Sequence, residues 1–454
     1  MTNGTQLLLG LTIGILLLIL LILKTKIHVF PSLIIAAAVT GLIGGLTQGE
    51  VVEAITRGFG TTLGNIGIVI GFGVMMGKLL ELSGATRVMA RSFLKLFGKG
   101  REDIAVGFSG FITSLSMFCD SGFIILFPLA KALSKGTKKS IVTLGVALAG
   151  GLVLSHSLVP PAAGPVGVAG IFEADVGQVM LYGAIVALPM LLVILLYARY
   201  IGQKIYQIPS DDGEGWLRPE KIEVVTSVEE TDNQANLPTV PVAFAPILLP
   251  IALIISKTIV ATLMADSPLK ELITFIGTPV IAIGIGLLIA IGFLTSHLTR
   301  AETLAAMEAG IKNGGKLLLI TGAGGSLGTI LRESGTGDFI AQQIVKTNLP
   351  SILLPFAIAT LVRLVQGSGT VAMLTAASIT APMVVTLQVD PVLAAVAACV
   401  GSLFFSYFND TYYWVINESL GIENVREQIR IWSITTTLAW STGLVMLLLL
   451  NWVL

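Results

Sequence analysis

Gly71-Phe72-Gly73-Val74-Met75-Met76-Gly77-Lys78-Leu79-Leu80-Glu81-Leu82-Ser83-Gly84 returns in outline, 251 residues later, as Gly322-Ala323-Gly324-Gly325-Ser326-Leu327-Gly328-Thr329-Ile330-Leu331-Arg332-Glu333-Ser334-Gly335. Glycine falls on glycine at Gly71/Gly322, Gly73/Gly324, Gly77/Gly328 and Gly84/Gly335. Leu80 meets Leu331 and Ser83 meets Ser334. The same offset, with no gap, pairs Gly150 with Gly401, Leu152 with Leu403 and Ser155 with Ser406. Shared glycine-rich composition accounts for one such window but not readily for two in one register. An internal repeat in an apolar chain reads as a two-halved transporter with its site between the halves.

Composition sets the class. Hydrophobic residues make up 54% of the chain and charged residues 12%, against about 25% charged in a soluble domain. Too little polar surface exists to face water, so the chain reads as an integral membrane protein. Its formal net charge is zero, which gives no sign of nucleic-acid binding. Cys119 and Cys399 lie in apolar segments, where a disulfide framework is not expected. The run Leu7 to Leu23 has no positive charge before it and no small-residue cleavage site after it, so it reads as a first span and not as a signal peptide.

A span needs about 20 mostly apolar residues. Those in the first half are 5–23, 29–47, 62–82, 140–159 with a broken continuation to 171, and 178–200. In the second half they are 241–264, 275–296, 315–331, 391–408 with a broken continuation, and 431–453. Two apolar stretches, 104–130 and 351–386, are too polar in the middle to be plain spans. Arg87, Arg91, Lys95, Lys99 and Arg101 precede the first of them, and Lys131, Lys135, Lys138 and Lys139 follow it. Both clusters belong in the cytoplasm. The stretch must therefore enter and leave on one side, as a re-entrant hairpin, with its broken backbone lining a cavity or buried in protein.

Lys24 and Lys26 then fall inside, and Glu50, Glu53, Arg57, Glu173 and Asp175 outside. Loops carrying Arg300, Lys312 and Lys316, and Arg426 and Arg430, fall inside. Five spans per half turn the second half upside down. The expected fold is an all-α polytopic membrane protein of two inverted repeats, 1–202 and 241–454, each with a re-entrant hairpin and a broken helix. Residues 203–240 are the only long polar stretch and read as a flexible cytoplasmic connector, with regulatory docking as a lesser alternative. Residues 85–101 alternate bases with apolar residues and read as an amphipathic helix on the inner surface.

The first hairpin has a polar tip, Thr113-Ser114-Leu115-Ser116-Met117-Phe118-Cys119-Asp120-Ser121-Gly122. An acid at membrane depth costs about 3 kcal/mol on insertion scales and generally serves a function. In a dry site a carboxyl resists ionisation and can take a proton near neutral pH. Asp120 is thus a proton-coupling candidate, weighed against an acid that merely caps a half-helix. Ser155-His156-Ser157-Leu158-Val159-Pro160-Pro161-Ala162-Ala163-Gly164-Pro165 cannot continue a helix, and the helix N-terminus it exposes suits a carboxylate. His156 either donates to an anionic substrate or is a buried imidazole satisfied by a backbone carbonyl.

The offset maps the hairpin tip near Gln366-Gly367-Ser368-Gly369-Thr370, and the break onto Ser406-Tyr407-Phe408-Asn409-Asp410-Thr411, with Tyr407 opposite His156. Asp410 is the second proton-coupling candidate. Arg363 either grips a substrate carboxylate bidentately or pairs with an acid. The expected substrate lining is Ser116, Ser121, His156, Arg363, Ser368, Thr370, Asn409 and Thr411, with Asp120 and Asp410 beside it. Thr321 to Gly328 lacks the Lys-Ser/Thr of a phosphate loop and any strand before it. Small residues at this spacing pack membrane helices. No cofactor and no metal is called for.

Phe118-Cys119-Asp120-Ser121-Gly122-Phe123, then His156-Ser157-Leu158-Val159-Pro160-Pro161 with Gly164-Pro165, then Arg363 with Gln366-Gly367-Ser368-Gly369-Thr370-Val371-Ala372-Met373, resemble the gluconate permease family through nearly the whole chain outside 203–240. The resemblance implies a proton symporter for gluconate or a related small hydroxy- or amino-carboxylate in the inner membrane. It also implies kinship with ion-coupled carboxylate transporters that are dimeric and move like an elevator. Asn409-Asp410-Thr411-Tyr412-Tyr413-Trp414 departs from the Asn-Asp-Ser-Gly-Phe-Trp form of gluconate carriers, which leaves D-serine and short hydroxy acids as alternative substrates. Sodium coupling is the nearest rival to protons. An intramembrane enzyme is disfavoured because Ser155 and His156, as sequence neighbours, point apart. A passive channel is disfavoured because buried acids and paired hairpins suit coupled carriage.

Overall fold

The computed structural model describes residues 4–25, 27–98, 100–210, 215–219, 237–339, 350–384, 386–407 and 410–453. Asn409 lies outside the described residues, as do Lys26, Lys99, Phe408 and linker residues 211–214 and 220–236.

The two longest helices start alike. Thr47 accepts from the Glu50 backbone N–H at 3.4 Å while Glu50 accepts from the Thr47 N–H at 2.8 Å; Thr299 and Glu302 repeat the exchange at 3.2 and 2.8 Å. Such a capping box satisfies two otherwise orphaned donors. Both helices stop at a serine followed by a glycine with positive φ, 73° at Gly84 and 75° at Gly335, a conformation open to glycine without steric cost. Helix α1 (Gly4–Leu23) and helix α2 (Val29–Ile43) precede α3 (Gln48–Leu82). In the second half α10 (Val240–Leu263), α11 (Pro268–Ile276) and α12 (Pro279–Ile289), which runs on into a π-helical turn at Ala290–Leu294, precede α13 (Arg300–Glu333).

At 1.5 Å per residue α3 and α13 are each about 50 Å long, well beyond the bilayer core of about 30 Å. The expected spans 62–82 and 315–331 are therefore only the C-terminal parts of longer helices. Glu50, Glu53, Arg57, Arg300, Lys312 and Lys316 are helical and not in loops. The reason is local. Charged residues here find partners along a helix, as Arg57 does with Glu53 at 3.1 Å and with Glu333, and need no break to reach water.

The pairing of α3 with α13 is the most extensive helix contact among the described residues, and it is antiparallel. Ser326 Oγ donates to Ile55 O at 2.8 Å, Arg57 pairs with Glu333, a Cβ added at Gly67 would come within 3.9 Å of Leu318, and Gly310 and Gly314 lie on Val74. A Cβ on Gly58 would run into Gly325 O and Thr329, and one on Gly325 into Thr62. The backbones meet at a separation only glycine permits. Helix α3 bends by 49° between Asn65 and Gly67, beside the Leu318 contact.

After α3 comes the amphipathic α4 (Ala85–Phe97), four residues shorter than expected because the chain turns at Gly98 with φ 74°. Its buried face is Ala85, Val88, Met89 and Ala90. Helices α5 (Glu102–Thr113) and α6 (Cys119–Thr137) form the first hairpin. Its base is closed by Lys139, which reaches Glu102 and the fully buried Asp103 at 2.9 Å each, while Arg199 takes the other Asp103 oxygen at 2.5 Å. Helix α5 is 12 residues, about 18 Å, too short to cross. Helix α7 (Ile141–Leu158), fully buried, ends at Val159-Pro160-Pro161-Ala162 before α8 (Ala163–Ile171); α9 (Val176–Lys204) closes the half.

The second half repeats this order. Helices α14 (Leu353–Gln366) and α15 (Gly369–Val384) turn at Gly367 and Ser368. Helix α16 (Pro391–Gly401) is separated by 402–410 from α17 (Thr411–Ser419). The short α18 (Val425–Gln428) runs through a π-helical turn, Ile429–Ser433, into α19 (Ile434–Val453), so Arg426 and Arg430 are helical too. Among the described residues, four helical segments are long and apolar enough to cross a bilayer, or six if each of two bent pairs is one span.

The connector is less free than expected over its described residues. Strands β1 (Ile208–Pro209) and β2 (Trp216–Leu217) pair antiparallel. Gln207 donates to Leu420 O at 2.5 Å, Arg218 grips Glu427 at 3.0 and 2.8 Å, and Lys131 sits 4.9 Å from the Trp216 ring centre. One tryptophan and one arginine fasten a segment whose overall polarity reads as coil.

Candidate functional site

The two hairpin tips and the two helix breaks converge on one cavity of about 300 Å³. Phe118, Cys119 and Asp120 enter it from the start of α6, and His156 and Ser157 from the end of α7. Arg363, Gly367, Ser368, Gly369 and Thr370 enter from the second tip, and Asp410, Thr411 and Tyr412 from the start of α17. The volume is at the lower end of the roughly 300–1,000 Å³ typical of small-molecule sites.

Arg363 is paired with an acid. Its Nη2 donates to Asp410 Oδ2 at 2.5 Å, and Nη1 donates to the carbonyl of Gly367 at the tip turn. Both side chains are nearly inaccessible. Asp410 is fixed further by Ser406 Oγ at 2.5 Å, itself held by Trp432 Nε1 at 3.0 Å, and by the Tyr412 N–H at 3.1 Å, which makes Asp410 the N-cap of α17. The guanidinium thereby ties the second tip to the second break. Breaking a buried pair of this kind leaves an uncompensated charge. Arg363 Nε has no partner among the described residues.

Asp120 stands differently. It is in the first turn of α6, where the helix dipole favours an anion, yet it makes no capping bond. Its Oδ1 is buried and has no hydrogen-bond partner among the described residues. The capping alternative is therefore only half realised: the position is that of a helix start, but the bonds are missing. His156 is buried, with its ring 5.6 Å from that of Phe118.

Ser116 and Ser121 do not reach the main cavity. They line a small adjoining one of about 30 Å³ with Lys78 and Glu81, and the two cavities share Phe118 and His156. The cause is Gly77, which lets α3 press against the carbonyl of Ser116. Ser121, one residue past Asp120, is rotated about 100° around α6. The expected lining thus divides: Asp120, His156, Arg363, Ser368, Thr370, Asp410 and Thr411 come together, Ser116 and Ser121 stand behind the tip, and Asn409 is outside the described residues. The sequence reading missed Ser157, Ser402, Tyr412 and Lys316, all of which line the main cavity. Lys316 was hidden by its assignment to a loop; Thr299-x-x-Glu302, a legible helix start, would have revealed it.

The profile described as GntP family permease matches residues 6–453. The chain belongs to the GntP permease family. This GntP permease is 33% identical over 450 residues to the high-affinity gluconate transporter of Escherichia coli K12, covering 97% of this chain and 98% of that one. It is 44% identical over 449 residues to a permease of Haemophilus influenzae, with 97% and 91% covered. It is 29% identical over 443 residues to the Gnt-II system L-idonate transporter of Escherichia coli K12, with 97% and 98% covered. Among solved structures, the YdaH transporter of Alcanivorax borkumensis has a similar fold, with a TM-score of 0.61 at 15% identity, over 88% of this chain and 87% of that one. The GntP permease is accordingly a multi-pass membrane transporter, and its relatives are permeases, not enzymes.

Proposed function

We propose that this GntP permease takes up gluconate or a related small hydroxy-carboxylate into the cell across the inner membrane by proton symport. The observation that carries this reading is Asp120: a carboxyl with a buried, unpartnered oxygen in the cavity where two hairpin tips and two helix breaks meet. Protonation of such a group discharges a carboxylate whose Oδ1 has no hydrogen-bond partner among the described residues. Asp410 was the other candidate, but Arg363 already neutralises it, so its part is structural. Ser368, Thr370 and Thr411 present hydroxyls suited to a polyol chain. The names of the gluconate and L-idonate transporters among its relatives support the substrate class.

The same proposal includes two inverted repeats that expose the cavity alternately. Support comes from the antiparallel pairing of α3 with α13, in which Gly67 faces Leu318, the residue 251 positions on, so that a Cβ added at Gly67 would lie 3.9 Å from it. A residue that faces its own counterpart marks where a two-fold axis would pass. The linker would be cytoplasmic, and the functional unit a homodimer, as the family resemblance implies.

Uptake by proteoliposomes tests the coupling. Gluconate should accumulate under an inward proton gradient and fail to do so under a sodium gradient with the proton gradient collapsed. Accumulation driven by sodium alone would reject proton symport.

A further inference from the structure

The central cavity has a second cation, and the proposed substrate gives it a task. Lys316 lies midway along α13, 16 residues from its first position, or about 24 Å by helical rise. A lysine at such depth is costly unless it faces water or a partner. Its neighbours place it on a charged, exposed face. Glu308, Lys312 and Lys316 recur every four residues, share one face of the helix and are all exposed, whereas Leu317 and Ile320 beside them are buried. This charged face runs from the N-terminal end of α13 to the cavity that Lys316 lines together with Arg363 and Asp120.

The charges in the cavity then decide between the two cations. Arg363 is spent, on Asp410 and on the Gly367 carbonyl. Lys316 makes no ion pair among the described residues. A carboxylate entering this space meets one cation that is already neutralised and one that is free. We infer that Lys316 binds the carboxylate of the transported acid, with Lys312, one turn nearer the helix end, as an earlier station on the same face. Resting on the carboxylate-carrier reading above, this assigns acid selectivity to α13 and confines Arg363 to holding the second tip in place.

Lys316 is exposed, so its replacement should leave the fold intact. Binding of gluconate and of its neutral amide, gluconamide, would be measured by calorimetry on the purified full chain, Lys316→Gln and Lys316→Arg. Removing a charge-assisted bond should weaken gluconate binding about tenfold or more. Gluconamide binding should change little, so that discrimination between acid and amide collapses in Lys316→Gln and returns in Lys316→Arg. Gluconate affinity in Lys316→Gln within about twofold of the parent would overturn the assignment, as would an equal loss for acid and amide, which marks a structural role. If the parent protein binds no sugar acid, the carboxylate reading itself falls and takes this one with it.

Discussion

At the scale of single residues the site separates two carboxylates that look alike in sequence. Asp120 and Asp410 both stand in apolar surroundings, and that contrast made them, with His156 and Arg363, legible from the chain alone. Their division of labour was not legible, because it depends on Arg363 reaching across 47 positions to Asp410. Asp120→Asn should retain gluconate binding and lose proton-driven accumulation, read as uptake by proteoliposomes with and without a pH gradient. Arg363→Ala should be the more damaging change to the fold, since it strands Asp410 in a buried network; a loss of about 3–5 kcal/mol is expected, read as a lowered unfolding midpoint in detergent. The pair Arg363→Met with Asp410→Leu should recover much of that stability but not transport. Lys316 escaped notice for a physical reason. Next to Gly314 and Gly315 it resembles a loop residue, and only the fold shows that it lines a cavity from mid-helix.

At the scale of elements, the polar middle of 104–130 marked a turn between two helices, while helix length was read poorly. Basic clusters on both sides of 104–130 called for a segment that returns to its own side, and Lys139, Glu102 and Asp103 hold its two ends together. Asp103→Ala should loosen this base, leaving Lys139 and Arg199 without their buried partner, and should show as faster hydrogen exchange in α5. Helix starts were misjudged because apolarity was the only signal used, while the Thr-x-x-Glu boxes at Thr47 and Thr299 went unread. Close packing is a further constraint invisible to hydropathy. A side chain on Gly151 would collide with the carbonyl of Gly107, where α5 crosses α7, whereas Gly60 on α3 has open space around it. Gly151→Ala should therefore cost about 1–3 kcal/mol by overpacking, and Gly60→Ala should be neutral or mildly stabilising by comparison, both measured as midpoint shifts.

At the scale of the whole molecule, one helix pair organises the rest. The glycine register that links 71–84 to 322–335 was visible in the sequence; that α3 and α13 lie directly against each other was not, since it requires the close approaches at Gly58 and Gly310. The docking of Trp216 and Arg218 was likewise hidden, because a polar average conceals two strongly fastened side chains. If the halves are inverted, the N-terminal ends of α3 and α13 must emerge on opposite faces of the membrane. Single cysteines at Glu53 and Ala301, both exposed, in a chain whose Cys119 and Cys399 are serine, test this in intact cells with a membrane-impermeant maleimide. Labelling at position 53 from outside, with position 301 protected until the membrane is opened, is the outcome expected of an inverted two-fold carrier; labelling of both positions from the same face would contradict it.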